Sequence, residues 1–507
     1  MDIVLAFVLI LTIIPAASYG WGMRGTTIGG EKGAMLPGAL IGGLLAIFSG
    51  IFIVQEHFYI FSALGAIAMY FGGCMTYGET LSISMSARPA VDLKKGLTAL
   101  FVKGFLWFAV FGAIFSTGVN AVSKVYSIVE LIIIFILTPA MAILDLNLLN
   151  RPHDAHEVKF PKIYFSKTRK EQWGAMVGIV IALSIINIIK LNAYSLLFTL
   201  ICGIFGGLGW LCGQGIQIYI IHYGKTSDFK IINKFVNNKY LEPWKAMECT
   251  FGAVGGLGCA IAFILTYPLF KETVFTLELN GGIVPYNSTF TDILFILWLL
   301  LLIIDMGHYF IKPPLSIEEL KDLHAKGKIS DKKFSSKIFN AKTNADEFRK
   351  KFNKFWETYE FIVYASVPFI LICLGSVKAV KTMSFFMLYW VLAQEIGFEN
   401  KYSKLKSRII KILFTVVGLF VLLTQIVLNI DATVFSTFML YTVIYEVLTL
   451  AWLLPSIVKT SNKKAAEINL NDNKLKRFLR QLKENKSFVI IHLYFVVCII
   501  ITMSNIK

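Results

Sequence analysis

The sequence predicts an all-α, polytopic integral membrane protein of about fourteen transmembrane helices, with both its N-terminus and its C-terminus outside. Three observations carry that prediction. The 507 residues are 56% hydrophobic, with a mean hydropathy of +0.67, beyond the range of ordinary soluble domains. Apolar runs recur along the chain, each near the roughly 20 residues needed to cross about 30 Å of hydrocarbon. Lysine and arginine fall in alternate gaps between those runs. The gaps at 20–32, 86–103, 150–171, 222–246, 312–356, 399–411 and 459–487 hold 43 of the 49 basic residues. The intervening gaps hold only Lys124, Lys190, Lys271, Lys378 and Lys381, and Lys507 ends the sequence. Basic residues beside membrane segments stay on the cytoplasmic side, so the alternation reads as a topology map.

The spans begin near residues 2, 33, 57, 98, 127, 172, 193, 247, 289, 357, 381, 409, 433 and 487. The first reads as a retained span: Ala16-Ala17-Ser18 resembles a cleavage site, but Met1-Asp2 lacks the positive n-region of a signal peptide. The formal net charge of +17 comes from lysines spread over seven loops, which argues against nucleic-acid binding and predicts attraction to anionic lipid headgroups. Cys74, Cys202, Cys212, Cys249, Cys259, Cys373 and Cys498 lie within spans without C-x-x-C spacing. They read as packing residues, with neither a disulfide framework nor a metal or other cofactor site. The Lys/Ile/Asn/Phe-rich composition points to a bacterial plasma membrane.

Three regions differ in texture. Residues 1–311 form a Gly-rich membrane core of about nine spans, with pairs such as Gly42-Gly43 and Gly206-Gly207; small residues let membrane helices approach closely. Residues 312–356 are a basic linker with a helix start at Ser316-Ile-Glu318-Glu319. Residues 357–507 are glycine-poor and read as a membrane scaffold of about five spans. An internal repeat is expected in the core. Glu171-Gln-Trp173-Gly-Ala-Met176 and Glu242-Pro-Trp244-Lys-Ala-Met247 share the pattern E-x-W-x-A-M, and Glu31-Lys-Gly33-Ala34-Met35 is a shortened copy. The returning spans end on Gly78-Glu79, Gly213-Gln214 and Gly307-His308, which indicates parallel helical-hairpin repeats, a construction common in transporters.

Residues 19–33, from Tyr19 to Gly33, make the densest polar stretch within membrane reach. Glycines, Arg24, Thr26, Glu31 and Lys32 precede a helix start, a combination suited to a small anion; without G-K-[ST] it is not a phosphate-binding Walker loop. The bland reading is an interfacial turn in which Arg24 pairs with Glu31. Glu79 ends the third span as a candidate for cation or proton binding. Gln214 holds the equivalent place beside Trp210 and Gln217, and Glu248 sits deep in a Gly-rich helix. Asp305 and His308 share a helix face and form a candidate proton-coupling pair.

These residues predict an ion-coupled transporter of a small polar, anionic or zwitterionic solute, with Arg24, Thr26, Glu31, Lys32, Glu79, Gln214 and Glu248 as substrate-binding residues and Glu79, Asp305 and His308 as ion-coupling residues. The alternatives are a membrane enzyme acting on a lipid-linked or acyl substrate, using the cluster Asp145, Asn147, Asn150, Arg151, His153, Asp154 and His156, or a lipid flippase.

Overall fold

The computed structural model describes residues 1–24, 30–73, 75, 77–78, 80–81, 89–151, 160–166, 171–224, 233, 243–308, 317–327, 329–331, 333–335, 355–356, 358–380 and 382–383. The expected spans beginning near 409, 433 and 487 lie outside the described residues. Within them the chain is helical: α1 (Ile3–Met23), α2 (Gly30–Ile47), α3 (Phe52–Glu56), α4 (Phe58–Gly73), α5 (Pro89–Val122), α6 (Ile128–Leu149), α7 (Trp173–Ile189), α8 (Ala193–Tyr223), α9 (Pro243–Leu279), α10 (Ser288–His308), α11 (Ile317–Ala325) and α12 (Thr358–Cys373). No strand occurs among the described residues.

Among the described residues six helices are long and apolar enough to cross a membrane: Ile3–Gly22, Leu93–Val122, Ile128–Leu149, Ala193–Tyr223, Pro243–Leu279 and Ser288–Asp305. Phe58–Gly73 and Trp173–Ile189 are apolar but shorter. The outward face of α6 exposes Ile132, Ile133, Ile136, Ile143 and Leu144, and α10 exposes Ile293, Ile296, Leu300 and Ile304. Continuous apolar faces of this size are unfavourable in water and suit hydrocarbon.

Local chemistry fixes the element boundaries. Proline opens α5 and α9, where a missing N–H costs nothing. Ser127 and Glu130 form a reciprocal capping box at the start of α6, and Glu130 also receives Lys190 at 3.0 Å from the end of α7.

The chain divides into two compact units. In the first, Met1–Tyr286 with Ile372–Lys507, α5 packs along α8, α8 along α9, α9 along α1, α2 against α4, and α6 against α7. Glycine sets two of these interfaces. A Cβ on Gly38 would lie 2.1 Å from the Gly65 carbonyl oxygen, and one on Gly65 the same distance from that of Gly38. Gly104 and Gly206 form a matching pair between α5 and α8, each 2.4 Å from the opposite carbonyl oxygen. Backbone therefore meets backbone, as small residues permit in membranes. Gly38→Ala is expected to cost about 1–3 kcal/mol, because the interface must separate. Gly215→Ala, whose Cβ would meet nothing within 4 Å, should be neutral or stabilising by up to about 1 kcal/mol. Unfolding midpoints in mixed detergent micelles of rising sodium dodecyl sulfate content check both; equal effects would remove the packing argument.

At one end of the first unit a buried polar network ties three helices and two connecting segments. Asn120, in the last turn of α5, donates to the Tyr126 hydroxyl at 3.1 Å and to Ser195 Oγ of α8 at 2.7 Å. The Tyr126 hydroxyl donates to Asn187 Oδ1 of α7 at 2.7 Å, and the Tyr286 hydroxyl donates to the Tyr126 carbonyl.

The second unit, Asn287–Leu371, contains α10, α11 and most of α12. A π-helical turn at Ile362–Ser366 aims Val363 and Tyr364 at α10: Trp298 Nε1 donates to the Val363 carbonyl at 2.7 Å, and the Tyr364 hydroxyl donates to the Asp305 carboxylate.

Candidate functional site

Arg24 follows the last residue of α1, where the chain leaves helical geometry with ψ 142° while its amide still bonds to the Trp21 carbonyl at 3.2 Å. Its side chain folds inward and is only 3% exposed. Nε donates to the Gly30 carbonyl at 2.9 Å, and one terminal nitrogen donates to the Tyr77 hydroxyl at 2.6 Å. Glycine at 30 permits this approach, since a Cβ there would stand 3.1 Å from the other terminal nitrogen.

The guanidinium carbon lies 4.5 Å from the Trp107 ring centroid, 5.0 Å from that of Tyr77 and 5.2 Å from that of Trp21. Cation–π attraction of this kind reaches about 2 kcal/mol per ring once desolvated. A second layer closes around the first. Phe251 of α9 sits 4.6 Å from both Trp21 and Trp210, and Tyr77 lies 4.9 Å from Trp210. Five separate segments thus supply rings around one cation.

Two residues of α9 complete the charge pattern. Glu248, 3% exposed, accepts from Lys245 Nζ at 2.7 Å and from Trp244 Nε1 at 3.0 Å. Lys245 also donates to the Arg24 carbonyl at 3.1 Å, anchoring the backbone that carries the guanidinium.

Around Arg24 several N–H donors are left over. Gly30 and Tyr77 use two of the five guanidinium N–H groups, and no carboxylate among the described residues pairs with it. The indole N–H groups of Trp21 and Trp210 are buried, with no acceptor among the described residues. Buried N–H donors without an acceptor are the kind of group that can pair with an oxyanion. On α8, Gln214 and Gln217 lie four and seven residues beyond Trp210 on the same face, and both are buried. Gly213 sets that level of α8 against the Met247 carbonyl, one residue before Glu248.

A second charge centre lies where the sequence places only an interfacial lysine. Lys103, at the edge of a basic gap, is within α5 and fully buried. It pairs with Glu171, also fully buried, with Nζ 3.2 Å from Oε2, and donates to Thr80 Oγ1 at 2.9 Å. The Phe165 ring lies 5.7 Å from the ammonium. The signal in the sequence is Lys103 itself, already inside the apolar stretch Leu97–Val110.

The other expected residues divide clearly. Lys32 is buried in the first turn of α2, whereas Glu31 beside it is exposed, and Arg24 turns to Gly30 and Tyr77 rather than to Glu31. Thr26 and Glu79 lie outside the described residues, as does the side chain of His308. Asp305 is buried in the second unit, bonded to Tyr364. In the 145–156 cluster, Asn150 acts structurally. Its Oδ1 accepts from the Gly174 amide at 2.7 Å at the start of α7, and its Nδ2 donates to the Ile163 carbonyl at 3.4 Å. His153, Asp154 and His156 lie outside the described residues. Among the described residues no group of three or more His, Cys, Asp or Glu side chains is placed to hold a metal. Five cysteines are free thiols, and Cys202 of α8 meets Cys259 of α9 with their sulfurs 3.8 Å apart.

Comparison of the chain with known protein families, with curated proteins and with solved structures finds no match.

Proposed function

We propose that the chain is a secondary transporter of a small anionic or zwitterionic solute, and that Arg24 is the anchor for its anionic group. One observation carries this reading: a desolvated guanidinium, held by neutral partners and three aromatic faces, keeps unspent donors and has no carboxylate counter-ion among the described residues. Buried charges in membrane proteins mark substrate and ion pathways. Glu248, Gln214 and Gln217 supply acceptors on the neighbouring helices, which suits a solute carrying a donor as well as an anion.

The arrangement by which the gaps rich in lysine face the cytoplasm, with about fourteen spans and parallel repeats, belongs to the same proposal. It places the Arg24 turn near the inner boundary, and alternating access would move helical hairpins about that turn. Glu79 and Thr26, flanking the Arg24–Tyr77 contact in sequence, complete the proposed site.

The test is uptake of radiolabelled small carboxylates, sulfonates and amino acids into proteoliposomes, with and without an imposed proton gradient. Wild-type protein is expected to accumulate at least one member of the panel, and Arg24→Ala to lose that uptake while still reconstituting. Uptake that Arg24→Ala leaves unchanged would sink the assignment.

A further inference from the structure

The buried network at the end of α5 leaves one acceptor over, and the order of its hydrogen bonds says which atom that is. Asn187 Nδ2 donates to the Leu183 carbonyl of its own helix at 2.8 Å, which turns Oδ1 of that amide towards Tyr126. Oδ1 therefore takes the Tyr126 proton at 2.7 Å. The phenol oxygen, its proton given away, faces the Asn120 amide nitrogen at 3.1 Å. Asn120 spends that nitrogen on Tyr126 and on Ser195 Oγ, so the atom left over is its carbonyl oxygen. Asn120 is fully buried, and Oδ1 meets no donor among the described residues.

A second oxygen is kept free beside it. Thr12, Thr250, Thr266 and Thr273 each return their hydroxyl to the carbonyl four residues back, a common outlet in a helix. Thr117, also fully buried, makes no such bond. Ser116 takes the Ala113 carbonyl at 3.3 Å instead, and Thr117 Oγ1 lies close to the Tyr126 hydroxyl but outside hydrogen-bond geometry. Residues 117 and 120 are neighbours on one helix face. Helical side chains lean towards the N-terminus, which carries the Asn120 amide to the level of Thr117.

We propose that Thr117 Oγ1, Asn120 Oδ1 and the Tyr126 hydroxyl oxygen bind an alkali cation, sodium or potassium, at the C-terminal end of α5. All three are neutral oxygens, the ligand type of hard cations, and among the described residues no carboxylate joins them, which suits a single positive charge rather than a divalent ion. The last turns of a helix carry partial negative charge, which favours a cation there over an anion. The charged side chains of this end have other partners. Lys190 pairs with Glu130 at 3.0 Å, and the Lys124 ammonium stands over the Tyr286 ring. A cation so placed ties α5 to the Tyr126 connection, and through Tyr126 to α7. The inference stands apart from the anion reading, since it needs no solute at Arg24.

Equilibrium binding of radiolabelled sodium, and of rubidium as the tracer for potassium, to the purified full-length protein in choline chloride tests the site. Wild type is expected to bind at least one of them saturably, displaced by excess unlabelled cation of the same kind and not by calcium at equal concentration. Thr117→Val keeps the shape of the side chain and deletes its oxygen, so affinity should fall roughly 10- to 150-fold. Thr117→Ala should fall likewise, and Thr117→Ser, which keeps the hydroxyl, should bind as wild type does. Ser123 is the internal control. Its hydroxyl is equally buried and unpartnered, but it lies six residues and about 9 Å along the helix from Thr117, too far to share one ion. Ser123→Ala should therefore bind as wild type does, and unfolding midpoints in choline chloride show that each variant is folded. No saturable binding of either cation, displacement by calcium, or affinity undiminished in both Thr117→Val and Thr117→Ala overturns the proposal, as does an equal loss in Ser123→Ala. None of these outcomes bears on anion binding at Arg24.

Discussion

Replacing Lys103 with alanine is expected to destabilise the protein by about 3–5 kcal/mol, because it leaves the Glu171 carboxylate buried with no counter-charge. Both members of the pair are 0% exposed, so water cannot take over the lost contact. The reason for so large an effect is desolvation rather than the strength of the pair itself. Lys103→Met/Glu171→Leu, which removes both charges and fills similar volume, should therefore unfold within about 1–2 kcal/mol of wild type, or be more stable. Unfolding in mixed micelles distinguishes the cases. A single variant as stable as wild type would mean that water or lipid headgroups reach the pair. A double variant as damaged as the single would mean that packing, not charge, dominates there. The partly exposed Glu130–Lys190 pair supplies the contrast: Lys190→Ala should cost no more than about 1 kcal/mol.

Arg24 should resist even its most conservative replacement. Truncating one partner of a buried, hydrogen-bonded charge pair typically loses about 2–5 kcal/mol of binding, roughly 30- to 5,000-fold. Arg24→Ala is expected to fall in that range for any anion that binds. Arg24→Lys keeps the charge but not the planar fork. It cannot satisfy Gly30, Tyr77 and an anion together, nor stack flat between the three rings. It should lose at least about tenfold in affinity. Titration of the purified variants by tryptophan fluorescence gives both numbers. Wild-type affinity in Arg24→Lys would show that a point charge suffices and that the aromatic cage serves packing alone.

The helices are largely legible in the sequence because an apolar run is a local property. Runs expected near 33, 57, 127, 172, 193 and 289 correspond to helices that start at Gly30, Phe58, Ile128, Trp173, Ala193 and Ser288. Where a boundary differs, amphipathicity explains it. Helix α5 begins at Pro89, well before the apolar run near 98, because its first turns carry Asp92, Lys94 and Lys95 and still remain helical. Extending the helix inward from those lysines is what turns Lys103 from an interfacial residue into a buried one.

The site is legible only in part. Arg24, Gln214 and Glu248 stand out as polar groups in costly surroundings, and all three are buried. The surroundings of Arg24 have no local signature, because Trp21, Tyr77, Trp107, Trp210 and Phe251 come from five segments and converge only through helix packing. The repeated E-x-W-x-A-M motif also conceals different contacts. Trp244 donates to Glu248 four residues ahead, whereas Trp173 lies against Phe165. Identical spacing fixes where a side chain leaves its helix, but the neighbour it meets depends on the rest of the bundle.

The network around Tyr126 has a mechanical meaning. Asn120 pins the last turn of α5 to α7 and α8, while Lys103 lies seventeen residues back along the same helix, about 25 Å at the helical rise. A rod clamped at one end turns a small angle into a useful stroke at the other: a tilt of about 5° would carry Lys103 through roughly 2 Å over that length. That stroke is enough to break a contact to Thr80 while the bonds at Asn120 stay closed. The uncharged end is the fixed point of the helix, and the charged end is where a small tilt is felt most.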